Sequence, residues 1–150
     1  MVQTRSPLVT RDIDLFKKIK RVQVNITVTT DNEDVRKAFE PYCPSNKVRL
    51  QAIKEINDKG IQSCITMTPL LPLADAESFA QALKETGIKR YIIQPFHKNK
   101  GRFVAGTREK ALEMFQKYRW DNHAYNKAYD IIKAHIPDIT IGKCGFAPPI

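Results

Sequence analysis

The segment 97–102, His-Lys-Asn-Lys-Gly-Arg, sets three cations and an imidazole close together just after a strand pattern that ends near Gln94. Parallel α/β folds place their ligands at the carboxyl ends of strands. His97, Lys98, Lys100 and Arg102 are therefore candidates for contact with nucleic acid, whose phosphates attract such a cluster. A second set is polar and uncharged. Gln23, Asn25, Thr27 and Thr29 point to one side of an alternating strand, and Cys64, Thr66 and Thr68 share one face of the next. Such a surface suits hydrogen bonding to something polar. Nothing in it is an activated nucleophile. The chain has no P-loop, no G-x-G-x-x-G and no nucleophile elbow, and His97, His123 and His135 lack metal or triad spacing. Cys43, Cys64 and Cys144 are odd in number and far apart, matching neither a disulfide framework nor a C-x-x-C metal site. Cys64, inside a strand, reads as a small buried hydrophobe.

The elements that must position these residues repeat a rhythm. Residues 22–30 alternate strictly, with Val22, Val24, Ile26 and Val28 opposite the polar set. A helix over 45–59 follows, with Ser45 as its cap, Val48, Ala52, Ile53 and Ile56 as its buried stripe, and Gly60 to end it. Next come a strand over 61–68, a helix over 75–86 and Gly87. Asp75 caps that helix, which turns Phe79, Ala82 and Leu83 inward. A strand over 89–94 completes the run. Strand, helix, strand, helix, strand predicts a parallel α/β sheet. A strand covered by helices on both sides is apolar on both faces, whereas these carry one polar or mixed face. A barrel is the better expectation, with helices outside and a polar lumen. Beyond residue 107 two helices are expected, over 108–118 and 123–135, with Trp120, Tyr125 and Tyr129 as packing aromatics and an irregular tail from Gly142. The chain opens on what reads as the tail of an earlier strand, residues 1–6.

With 150 residues, 42% hydrophobic and 27% charged, the chain has the composition of one globular domain rather than a disordered segment. No apolar run approaches the roughly 18 residues of a membrane span, and residues 1–14 lack the apolar core of a signal peptide. A cytoplasmic location is the default expectation. The net charge of +9 favours polyanionic partners. Basic residues are nevertheless scattered, clustering only at 17–18, 20–21 and 98–102, so a solvated basic surface and nucleic-acid contact both stand.

Several segments then align with one family. They are residues 4–15 around Arg5, Ser6, Arg11, Asp12 and Asp14; residues 24–30; Phe39-Glu40-Pro41 followed by Arg49-Leu50; Pro69-Leu-Leu-Pro72; and the closing Gly145-Phe-Ala-Pro-Pro149. In order and spacing, across most of residues 3–150, the chain resembles the C-terminal part of a radical SAM enzyme. The subgroup is the one related to spore photoproduct lyase and often labelled DNA repair photolyase. The resemblance implies an incomplete (β/α)6 partial barrel (about strands 3–6) over 1–107, with C-terminal helices and an irregular tail over 108–150 packed on it. It implies S-adenosylmethionine (SAM) and a 4Fe–4S cluster for the full-length family, and points to repair of nucleic-acid lesions as the activity to expect. It also implies what is missing: the C-x3-C-x2-C cluster loop and the glycine-rich motif for the SAM amino group would precede Met1.

By position in that family, Arg5 matches a basic residue near the SAM carboxylate, which a guanidinium can hold in bidentate fashion. Asn25 matches a polar SAM contact, with Thr27 further along the same face, and Arg49 matches the arginine of an Arg-Leu pair. The bland alternatives are surface ion pairs for Arg5 and Arg49, and mutual satisfaction of Asn25 and Thr27. Alone, the chain is expected to be catalytically silent, with neither cofactor bound tightly, and to need its missing N-terminal half or a second copy. The competing expectation is a non-catalytic α/β module that binds nucleic acid or a SAM-like ligand.

Overall fold

A computed structural model describes residues 1–96 and 109–142. Five strands, β1 (Val2–Thr4), β2 (Gln23–Thr27), β3 (Gln62–Met67), β4 (Arg90–Ile93) and β5 (Ile139–Ile141), form one sheet in the order β1-β2-β3-β4-β5. Every neighbouring pair is parallel. The order never reverses, so the sheet is singly wound. A doubly wound sheet reverses at a switch point and takes helices on both faces.

The packing follows that topology. Val24, Ile26, Val28, Ile65, Met67, Tyr91 and Ile93 join one buried cluster with Val9, Ile13 and Phe16 and with residues of three longer helices. These helices are α3 (Asn46–Asp58), which supplies Ala52, Ile53 and Ile56; α4 (Ala76–Glu85), which supplies Phe79, Ala80 and Leu83; and α6 (Asn122–His135), which supplies Ala128 and Ile132. Cys64 and Ile92, whose side chains emerge on the opposite face, are just as buried yet stand outside that cluster. The sheet thus has an apolar helix-covered side and a second side bearing Gln23, Asn25, Thr27 and Thr66, all essentially inaccessible. That is the one-sided polarity expected from the alternation.

Local signals act where the sequence places them. Asp75 accepts from the Glu77 and Ser78 amides, and hydrogen bonding from Ser78 holds its carboxyl below the usual range. Gly60 and Gly87 take the left-handed backbone at φ +79° and +73°, which ends α3 and α4. Trp120, Tyr125 and Tyr129 pack against the core as expected.

Four details differ from the sequence reading. Val48 is 41% exposed, and Arg49 occupies the buried stripe in its place. Ser45 precedes α3 as its cap residue but its side chain makes no capping hydrogen bond. Ala80, rather than the half-buried Ala82, lies fully inside. The chain also forms elements that periodicity does not reveal. A 3-10 helix over Pro7–Asp12 runs into α1 (Ile13–Phe16), α2 spans Glu33–Phe39, and β5 adds a fifth strand ahead of the tail. α5 (Glu109–Lys117) agrees with the first of the two helices expected beyond residue 107.

Candidate ligand-binding site

The carboxyl end of β2 gathers most of the residues singled out by sequence. Its centre is one the sequence reading does not name as a site: Glu40, just after α2. One carboxylate oxygen accepts from Arg5 Nε at 2.8 Å and the other from Arg49 Nη2 at 2.5 Å. Arg49 has no exposed side-chain surface. Its other two nitrogens are engaged as well: Nε donates to the Pro44 carbonyl at 2.9 Å and Nη1 to the Thr27 carbonyl at 3.0 Å. A buried guanidinium needs acceptors around it, and here one acceptor on each nitrogen ties α3, the α2–α3 loop and the last residue of β2 together. Arg5 differs in kind. It lies just past β1 with its side chain 44% exposed, and only its Glu40 edge is fixed.

The loop that carries Glu40 is itself stitched. Arg36 donates to the Cys43 carbonyl at 2.6 Å and to the Glu33 carboxylate at 2.9 Å. The guanidinium in return holds the Glu33 carboxyl below the ordinary range.

On the polar face, register does the positioning. Asn25 lies beside Gln3 on one side and Cys64 on the other, and Thr27 lies beside Thr66. Gln3 Nε2 donates to Thr27 Oγ1 at 2.8 Å and to Thr66 Oγ1 at 3.1 Å, and the two hydroxyls lie 2.9 Å apart. One level lower, Gln23 Nε2 donates to Asn25 Oδ1 at 2.7 Å and Asn25 Nδ2 reaches Met1 Sδ at 3.2 Å. Thr27 and Asn25 are therefore both engaged, but with other partners and not with one another. Thr29, the next residue of the alternation, is 2% exposed, and among the described residues its hydroxyl has no hydrogen-bond partner. Cys64 shares this face, and burial pushes its thiol up to about 12.

A cleft of about 460 Å³ lies further along the carboxyl edge, lined by Pro95, Phe96, Phe115, Trp120, Asp121, Asn122 and Tyr125. Phe96 and Phe115 pack at 4.8 Å between ring centroids, with Phe39 edge-on to both. His97, Lys98, Lys100 and Arg102 lie outside the described residues.

Of the residues singled out by sequence, Arg5 and Arg49 meet on Glu40 while Asn25, Thr27 and Thr29 share the polar face; Gln3 and Glu40 are the additions of the fold. Gln3 was within reach, since it precedes Arg5 by two residues and so shares its face. Glu40 was not, because nothing in a loop sequence reveals that two arginines from different elements converge on it.

No protein-family model matches the chain. Over 77 residues, 51% of the chain, it is 38% identical to the uncharacterized protein MJ0683 of Methanocaldococcus jannaschii. Over 87% of the chain it is 24% identical to the uncharacterized protein ORF301 of Acidianus two-tailed virus. The chain spans less than half the length of these curated relatives, 30% of MJ0683 and 43% of ORF301.

Proposed function

We propose that the chain is the C-terminal part of a radical SAM protein, in the subgroup related to spore photoproduct lyase, built as an incomplete (β/α)6 barrel. The observation that carries this reading is the singly wound parallel sheet with a buried polar face. Gln3, Thr27 and Thr66 from three adjacent strands meet there by side-chain hydrogen bonds. A lumen lined in that way serves a polar ligand, whereas a purely structural sheet fills such a face with apolar side chains.

The residues present fit the two cofactors unequally. A 4Fe–4S cluster open at one iron needs three thiolates from one loop. Cys43 lies between α2 and α3 while Cys64 is buried in β3, so these side chains cannot form such a loop. No radical step is assigned to this polypeptide. SAM fits in part. Bound at a reduced cluster, it supplies a 5′-deoxyadenosyl radical. Arg5 offers an exposed guanidinium for its carboxylate, and Thr29 a hydroxyl unmatched among the described residues, on the face that holds Asn25 and Thr27. Arg49 serves as a positioning residue, holding Glu40 and through it Arg5. Nucleic acid as the substrate of the joined protein belongs to the same reading.

Anaerobic reconstitution with iron and sulfide tests it. The chain alone should develop no 4Fe–4S absorbance, and a stoichiometric cluster would overturn the assignment. The coding sequence upstream of Met1, or an adjacent gene, should encode C-x3-C-x2-C, and its absence from both has the same consequence.

A further inference from the structure

At the opposite, amino-terminal end of the sheet lies a second cleft of about 460 Å³. Four basic side chains line it: Lys17, Lys20 and Arg21 from the segment between α1 and β2, and Lys59 from the end of α3. No carboxylate is among its lining residues. All four are exposed, and among the described residues none forms an ion pair, a condition they share with other surface lysines; what sets them apart is that they gather round one concavity. The nearby acid Asp58 is engaged by Lys54 at 2.8 Å. Gly60 contributes no side chain, and a Cβ there would meet nothing within 4 Å, so the floor stays open. Ile19, 51% exposed, gives the basic rim an apolar spot.

Solvation alone explains basic residues dispersed among acids. It does not account for four cations around one concavity with no acid lining it, since like charges so placed repel one another. Lys59 has a partial explanation, because the carboxyl end of a helix favours a cation. The other three lack one.

We infer that this cleft is a docking site for the sugar–phosphate backbone of single-stranded nucleic acid, distinct from the carboxyl-end site and independent of any SAM chemistry. The charge is complementary, and a cleft of this size takes a short run of backbone rather than a duplex. Exposed lysine and arginine ends adapt to successive phosphates without reading base edges. The apolar Ile19 offers a surface to a sugar or base.

Binding of a fluorescent oligothymidylate by anisotropy tests the assignment in the full chain. Four phosphate contacts predict a slope of log K against log salt of about −2.8. That slope corresponds to a loss of roughly fiftyfold between 50 and 200 mM salt. Lys20→Gln with Arg21→Gln should reduce the slope by about 1.4. Lys17→Glu, Lys20→Glu, Arg21→Glu and Lys59→Glu together should abolish binding with the circular dichroism melt unchanged. Retained binding in that quadruple variant overturns the inference. So does loss of binding in Lys98→Gln, Lys100→Gln, Arg102→Gln when the cleft is intact. Binding confined to anionic phosphatidylserine vesicles, with none to the oligonucleotide, overturns it as well.

Discussion

Arg49 donates to Glu40 across 2.5 Å with no side-chain surface of its own in contact with water. A cation so enclosed is tolerable only while every donor is matched, and removing one partner of a buried pair typically costs about 3–5 kcal/mol. Arg49→Ala should therefore lower stability by that order in urea denaturation, and Arg49→Lys should recover little, because an ammonium cannot span Pro44, Thr27 and Glu40 at once. Arg5→Ala removes the other arm of the same carboxylate but comes from a half-exposed side chain, so its cost should stay within about 1 kcal/mol. The two arginines share one acid and differ in purpose. Equal destabilisation by both variants would contradict that division.

The hydroxyls of Thr27 and Thr66 lie 2.9 Å apart, each within reach of Gln3. Replacing Thr27 alone by valine strands a buried hydroxyl beside a methyl group, at a cost of about 1–3 kcal/mol. Replacing both by valine removes donor and acceptor together, and Gln3, which is exposed overall, can turn to water. The double variant should be destabilised by less than the sum of the singles. Strict additivity in a double-mutant cycle would mean that the hydroxyls do not interact.

β1 is an edge strand, paired with β2 alone among the described residues. Met1, Leu8 and Leu15 are exposed at 59%, 69% and 58%. An open parallel edge next to uncovered apolar side chains recruits further strands. Light scattering after size exclusion should find self-association of the chain, and Leu8→Glu with Leu15→Glu should reduce it. A monomer with a high melting temperature would count against the reading of this chain as part of a larger barrel.

How far the sequence discloses this architecture depends on length and residue type. The units from residue 22 to 94 are legible because each strand alternates and Gly60 and Gly87 mark where two helices end. β5 is three residues, Ile-Thr-Ile, too short for alternation to rise above chance. α2 is seven residues of mostly polar sequence, although Asn32, which accepts from the Asp34 and Val35 amides, is a recognisable cap. Arg49 is the instructive error. Positions 49, 52, 53 and 56 have the spacing of one buried stripe, yet an arginine there reads as solvent-facing and Val48 takes its place. The position was legible and the side chain disguised it, since its burial depends on Glu40 and two carbonyls that only the fold assembles.

Burial also fixes how stability should respond to alkali. The Cys64 thiol, ordinarily at 9.0, is pushed up to about 12 by desolvation, and the Tyr125 phenol, ordinarily at 10.0, also rises to about 12. Both folded-state values lie above those of the unfolded chain, so the unfolded state sheds these protons first. The folded state thus keeps its full advantage below about pH 9 and loses it progressively as pH climbs toward 12. Melting temperature should fall over that window. Cys64→Ala should flatten the early part of the fall near pH 9, and Tyr125→Phe the later part. At pH 8 the folded chain should leave Cys64 unmodified by iodoacetamide while the half-buried Cys43 reacts, as peptide mass spectrometry can resolve. Rapid alkylation of Cys64 without unfolding would show that its thiol is not shielded, and the alkaline slope would then need another origin.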